Sequence, residues 1–223
     1  YGFRDQLQDV RALLLTVPER AREQLVLASS RQFPEGDVQH WWHPPHGAGV
    51  RTRITDDLLW LPYVLAEYLE VTGDWSVCGE KTCYLESPPL REGERERYET
   101  PRCSEREDTV YRHALAAIRC AMERGVGSHG LALIGGGDWN DGMNRVGAGG
   151  RGESVWLTWF LALVLRKFAP VCRHMEEPQL AEELLGRAEG YRKAAEAAWD
   201  GSWYRRGYFD SGAPLGTRGA ESC

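Results

Sequence analysis

Apolar positions along the chain fall mostly at helical spacing. Leu7, Val10, Leu14 and Val17 predict a first helix that starts inside Arg4-Asp5-Gln6-Leu7-Gln8-Asp9 and stops at Pro18. A more polar helix follows from Glu19 to about Arg31, and the tight turn between the two predicts an antiparallel hairpin. Leu58, Leu61, Leu65 and Leu69 mark a third helix ending near Gly73, kinked at Pro62, with Thr55 as N-cap and Asp56 and Asp57 in its first turn. Ser104-Glu105-Arg106-Glu107 has the form of a capping box, and Val110, Ala114, Ala117, Ile118 and Ala121 carry a helix behind it to about Glu123. From Val155 to Leu161 the chain is apolar on nearly all sides, which predicts a buried central helix with Glu153 and Ser154 at its start. A last stripe, Leu180, Leu184, Ala188, Tyr191, Ala195 and Ala198, predicts a helix from roughly Glu176 to Trp199. Trp203 to Phe209 then reads as a short strand entering a turn at Asp210 to Gly212.

The segments between are polar, aromatic or rich in Gly and Pro. Gln32 to Gly49 is expected to be a loop, and Asp74 to Arg102 a long solvated surface excursion. Helices come in pairs and strands do not alternate with them. The predicted fold class is therefore all-α: an incomplete (α/α)6 toroid of helical hairpins with long loops and a short β-hairpin.

Composition narrows the class. At 223 residues and 42% hydrophobic content the chain can bury a real core. A net charge of -6 leaves no uncompensated basic stripe, so nucleic acid is not an expected partner. Nine tryptophans and nine tyrosines against five phenylalanines favour rings that carry a polar handle, a balance suited to carbohydrate. The six cysteines are irregularly spaced with no CxxC pair, which points to free thiols rather than to a zinc site or a disulfide framework. The expected location is cytoplasmic, including the cytoplasmic face of an inner membrane as part of a larger protein. The apolar run Val155 to Leu165 is read as too short to span a bilayer, so no direct membrane contact is expected of this segment. The absence of an initiator methionine and the ending at Glu221, Ser222 and Cys223 suggest a piece truncated at both ends.

Candidate chemistry concentrates in Leu131 to Asn144, LALIGGGDWNDGMN. Gly135, Gly136 and Gly137 allow a sharp turn, and Asp138, Trp139, Asn140 and Asp141 follow it. An aromatic face among carboxylates and an amide suits a sugar, and a carboxyl near an indole suits a general acid; a plain Asp-Gly turn is the competing reading. An EF-hand fails because Gly142 comes one position early and no closing glutamate follows, and a phosphate loop lacks its Gly-Lys-Ser/Thr. On the first helix Arg4 and Gln8 are four apart, as are Asp5 and Asp9, which gives either a sugar clamp or ordinary solvated acids. His40, His43 and His46 invite a metal, but Pro44 and Pro45 forbid a helix that would align them, so no metal is assigned. Together with Trp41 and Trp42 they are read as a binding wall or a packed loop.

Three motifs, Arg4-Asp5-x-x-Gln8-Asp9, Asp56-Asp57-Leu58-Leu59-Trp60-Leu61 and Gly137-Asp138-Trp139-Asn140-Asp141-Gly142, together resemble glycoside hydrolase family 94, and Gly150 to Trp156 fits as well. The fuller wording is most similar to the cyclic β-1,2-glucan synthase branch of that family. The resemblance implies a partial catalytic (α/α) barrel domain over residues 1–223 and inverting phosphorolysis of β-glucosides, with β-1,2-glucan the expected substrate, giving α-glucose 1-phosphate. It implies Asp141 as the general acid and Trp139 in the sugar subsite. Arg4 and Asp9 would bind hydroxyls, and Asp138 and Asp5 would support them; Arg53, Asp57, Glu153, Trp42 and His40 complete the candidate substrate-binding set. No cofactor is implied, only inorganic phosphate as co-substrate. In the family the phosphate-binding residues lie further along the chain than Cys223, so this stretch alone is expected to be weak or inactive; Arg51, Arg53 and Arg151 are the cationic candidates within it. An inverting hydrolase with Asp57 or Glu153 as base, and a non-catalytic carbohydrate-binding domain, are the alternative classes.

Overall fold

Pro18 separates the first two helices. α1 runs Phe3–Arg11, and α2, Pro18–Ser29, carries the proline at its first position, where a helix makes no use of the missing N–H. α1 is thus shorter than the spacing of Leu14 and Val17 predicted. These elements come from a computed structural model that describes residues 1–219, so the expectations about Glu221, Ser222 and Cys223 lie outside the described residues.

The chain divides into two compact units. The first comprises Tyr1–Arg53 and Asp57–Cys120. Here α1 and α2 pack on each other and on α3, Asp57–Thr72. α3 is buried on nearly every side, from Leu58 to Leu69, with Pro62 inside it. Gln32–Gly49 is not the expected loop. β1, Gln39–His43, and β2, Ala48–Thr52, form an antiparallel hairpin, and β4, Glu96–Glu99, pairs with β2. The aromatic pair in β1 suits a pleated, half-buried surface better than a loop, as strand propensity requires.

β3, Lys81–Glu86, which precedes β4, and β5, Arg102–Thr109, which follows it, form a second antiparallel ribbon that leads into α4, Val110–Glu123. Ser104 to Glu107 therefore do not cap α4 but form part of β5. Ser104 Oγ accepts from Arg106 N at 3.1 Å, a local bond that serves the strand instead of a helix start. Cys83 and Cys103 are joined by a disulfide across this ribbon, which corrects the expectation of free thiols for that pair. Cys78, Cys120 and Cys172 carry thiols.

The second unit comprises Ile54–Asp56 and the described part of Ala121–Cys223. α5, Val155–His174, and α6, Pro178–Glu196, form its helical hairpin. α5 is 20 residues long and contains an 18-residue window of mean hydropathy 1.5, so by length and composition it could cross a membrane, contrary to the shorter run read from sequence. However, 67% of its apolar window is buried inside the protein, as in a core helix. Leu131, Val155, Ala195, Ala198 and Tyr208 close one part of the core. A small antiparallel sheet of β6, Glu153–Ser154, β7, Gly207–Tyr208, and β8, Pro214–Leu215, lies at the start of α5. Helical hairpins are thus present, but three antiparallel sheets among the described residues make the chain mixed α and β, and the all-α toroid is overturned. The charged, mostly exposed residues of β4 and β5 hid those strands, since strands at a sheet edge or in a two-stranded ribbon need no continuous apolar face.

Candidate active site

In the second unit the stretch opening at Leu131 is stitched down before it reaches its acids. Ala132 N donates to Thr158 Oγ1 at 2.9 Å, Ser154 N donates to Ala132 O at 3.1 Å, and Ile134 N donates to Gly152 O at 2.9 Å. Gly135 takes a φ of 63°, a left-handed value that favours glycine, and Thr55 N donates to Gly137 O at 3.0 Å. Thr55 is therefore not the N-cap of α3. Its hydroxyl bonds Ile134 O at 3.0 Å and accepts from Arg124 Nη1 at 2.6 Å.

The acids that follow are unequal. Asp138 is fully buried: Oδ1 accepts from Arg206 Nη2 at 2.6 Å and from Asn140 N at 3.1 Å, and Oδ2 accepts from Ser154 Oγ at 2.6 Å. Asp141, three residues on, is exposed and opens a 3₁₀ turn, Asp141–Met143, whose Gly142 N donates to Asn140 Oδ1 at 2.9 Å. Trp139 is 54% exposed. A solvent-facing indole and a solvent-facing carboxyl stand on a turn whose base is a buried ion pair, an arrangement able to stack a sugar ring and hand it a proton.

Glu153, the other acid of this region, is 1% exposed. Its Oε1 accepts from His129 N at 3.0 Å and Leu131 N at 3.3 Å, and Oε2 lies 2.6 Å from His129 Nδ1. The His129 ring stacks on Tyr208 with centroids 3.6 Å apart. Gly127 makes room for this carboxylate, since a Cβ there would sit 2.3 Å from the Glu153 carboxyl carbon. Glu153 thus ties the turn before the loop to β6. Nearby, the carboxylate of Asp210 accepts from Gly149 N and Arg151 N, both at 2.7 Å, and from Gly152 N at 2.9 Å. Burial pushes the Asp210 carboxyl up, but these three N–H groups outweigh it, so it titrates below the usual carboxylate range. Beyond β6, a cavity of about 460 Å³ is walled by Trp156, Trp159, Trp203, Tyr204 and Arg206.

The first unit holds the remaining candidates. Arg4 is buried on α1 and Gln8 Nε2 donates to its carbonyl at 3.3 Å, while Asp5 and Asp9 are exposed. The Asp5 carboxylate folds into the space beside Gly2, where a Cβ would sit 1.9 Å from it. Asp57 is 2% exposed and its Oδ2 lies 2.8 Å from His40 Nδ1. Trp42 is buried in the core, stacked on Tyr1 at 6.1 Å with the Arg31 guanidinium above it at 5.1 Å. Arg53 donates to the carbonyls of Leu90, Arg91 and Glu94 at 2.8–3.1 Å, and so clamps that loop. Arg51, a cationic candidate for phosphate, is 1% exposed and bound to Asp37, Glu35 and the carbonyls of Ser87 and Pro88, so its guanidinium is already occupied. Arg151 is exposed.

Sequence reasoning missed Arg206, His129 and Asp210. Each acts through a partner more than twenty residues away along the chain, and no periodicity reports such a pairing. Asp210 read only as a turn former.

The chain belongs to the glycosyl hydrolase 94 superfamily, whose catalytic-domain model matches residues 1–223. It is 46% identical over 224 residues to cyclic beta-(1,2)-glucan synthase NdvB of Rhizobium meliloti (strain 1021), covering 100% of this chain and 8% of that protein. It is 34% identical over 220 residues to solabiose phosphorylase of Paenibacillus borealis, covering 97% and 25%. To N,N'-diacetylchitobiose phosphorylase of Vibrio furnissii it is 27% identical over 244 residues, covering 97% and 28%. The chain therefore spans less than a third of each of these relatives.

Proposed function

We propose that the full-length protein carrying this domain catalyses inverting phosphorolysis of β-glucosides, with β-1,2-glucan as substrate and α-glucose 1-phosphate as product. The observation that carries the reading is the division among the acids. Asp138 and Glu153 are buried and engaged, whereas Asp141 stands exposed beside an exposed Trp139. In this reading Trp139 stacks on the sugar and Asp141 donates its proton to the glycosidic oxygen as the C1–O bond breaks. A phosphate oxygen attacks C1 from the opposite face and inverts it. Phosphate is already a nucleophile, so one catalytic carboxyl suffices; a water-using inverting enzyme needs a second, roughly 6.5–9.5 Å away. Glu153 would have to abandon its bonds to His129 and Leu131 to serve as that base. The phosphorylases among the relatives support phosphate as co-substrate, and the similarity to a β-1,2-glucan synthase supports the linkage.

The test is full-length protein incubated with β-1,2-glucooligosaccharides with and without phosphate. Release of α-glucose 1-phosphate only when phosphate is present is expected; glucose release without phosphate would overturn the reading.

A further inference from the structure

We propose that Arg206 is a positioning residue for the proton donor: acting through Asp138, it fixes the backbone from which Asp141 projects. The inference rests on the reading of Asp141 as general acid and goes beyond it to the part of the fold that aims that acid.

Arg206 is itself anchored. Its backbone N donates to Leu215 O at 2.9 Å and its carbonyl accepts from Val155 N at 3.2 Å, which places it between β8 and the start of α5. From there the guanidinium reaches two groups at once, Asp138 Oδ1 at 2.6 Å and Ser154 Oγ at 3.1 Å. Ser154 Oγ donates in turn to Asp138 Oδ2 at 2.6 Å and accepts from Leu157 N at 3.0 Å, the first-turn donor of α5. The carboxylate is thus gripped on both oxygens. Oδ1 also accepts from Asn140 N, and the Asn140 side chain caps the turn that begins at Asp141. One chain of bonds therefore runs from the sheet through Arg206, Asp138 and Asn140 to Asp141.

A carboxylate with no exposed surface needs its counter-charge. Without Arg206, Asp138 must take up a proton or reorganise, and either outcome loosens its hold on Asn140 N. Proton transfer from a positioned acid is worth about 10²–10⁴ in rate, and a displacement of about 1 Å costs on the order of 10²-fold. That contribution matters most when the leaving group is a poorly acidic sugar alcohol.

The experiment compares full-length wild type, Arg206→Gln, Arg206→Lys and Asp141→Asn in phosphorolysis of a β-1,2-glucooligosaccharide and of 2,4-dinitrophenyl β-glucoside, whose leaving group departs without a proton. For Arg206→Gln, kcat on the oligosaccharide should fall about 30–100-fold with KM changed less than about threefold, and kcat on the aryl glucoside less than about fivefold. Arg206→Lys keeps the charge but not the two-pronged donor and should lose about tenfold on the oligosaccharide alone. If Arg206→Gln does not fold, the lysine variant decides by the same ratio. If wild type rejects the aryl glucoside, the oligosaccharide alone decides: the loss should fall on kcat and not on KM, and Arg206→Lys should recover part of what Arg206→Gln loses. Equal losses on both substrates, a raised KM with kcat intact, or no recovery in Arg206→Lys would overturn the proposal while leaving Asp141 as the acid. Intact oligosaccharide turnover in Asp141→Asn would instead overturn the functional reading, and the positioning role with it.

Discussion

His40 Nδ1 and Asp57 Oδ2 lie 2.8 Å apart, and the second oxygen of the same carboxylate is buried with no hydrogen-bond partner among the described residues. Asp57 therefore depends on His40 for much of its compensation at the first residue of α3. His40→Ala should destabilise the domain by about 1–3 kcal/mol, the cost of stranding a buried polar group. Urea unfolding measures it, and Asp57→Asn combined with His40→Ala should lose less than the sum of the two single changes. Strict additivity would show that the pair is not coupled.

Glu153 offers a test of its structural assignment. Glu153→Gln weakens its two backbone bonds and its contact with His129, and should cost about 1–3 kcal/mol in denaturant unfolding. Gly127→Ala forces a methyl group against the same carboxylate and should cost about 1–3 kcal/mol by overpacking. If Glu153→Gln keeps full stability but abolishes turnover, the residue belongs to the chemistry.

Asp210 supplies a pH signature. Its carboxyl titrates below the ordinary value of about 3.9, so its contribution to stability is fully present above that value and is lost as pH falls through the lower folded one. The stability difference between wild type and Asp210→Asn should be about 1.5–3 kcal/mol, flat from pH 7 to about 5, and should shrink below about pH 4. Unfolding free energies at a series of pH values measure this, and a difference that grows on acidification would contradict the sign.

The Cys83–Cys103 bridge closes a sequence separation of 20. An unreduced peptide digest should contain one linked pair joining β3 to β5. Replacing both cysteines with serine should cost about 2–4 kcal/mol, chiefly by restoring freedom to the unfolded chain. Mass spectrometry showing both thiols free in oxidised protein would remove the bridge.

Helix content was legible in sequence where burial imposed a period. Leu58 to Leu69, Val155 to Leu165 and the stripe from Leu184 to Ala195 all became helices, with Pro18 and Pro178 at helix starts. Strands were missed where no periodic apolar face was needed. The charged residues of β5 satisfied a capping pattern locally, yet backbone pairing with β3 decided their conformation. The acid-bearing loop was found through its composition, and the separate roles of Asp138 and Asp141 were expected from family resemblance. Their physical basis was not visible, because it lies in Arg206 and Ser154, distant in sequence and joined only by folding. Trp42 and Arg51 drew notice as binding residue types, but their burial in the first unit gives both internal partners.

Asp138 and Val146 are both buried, and Val146 O accepts from Asp210 N at 3.1 Å. Between these posts every residue from Trp139 to Arg145 is exposed except the half-buried Met143. The tip that carries Trp139 and Asp141 therefore projects into solvent from a fixed footing. It is a projection whose side chains meet solvent while the backbone at each end is held, so a substitution within it changes the exposed face and leaves the core packing alone.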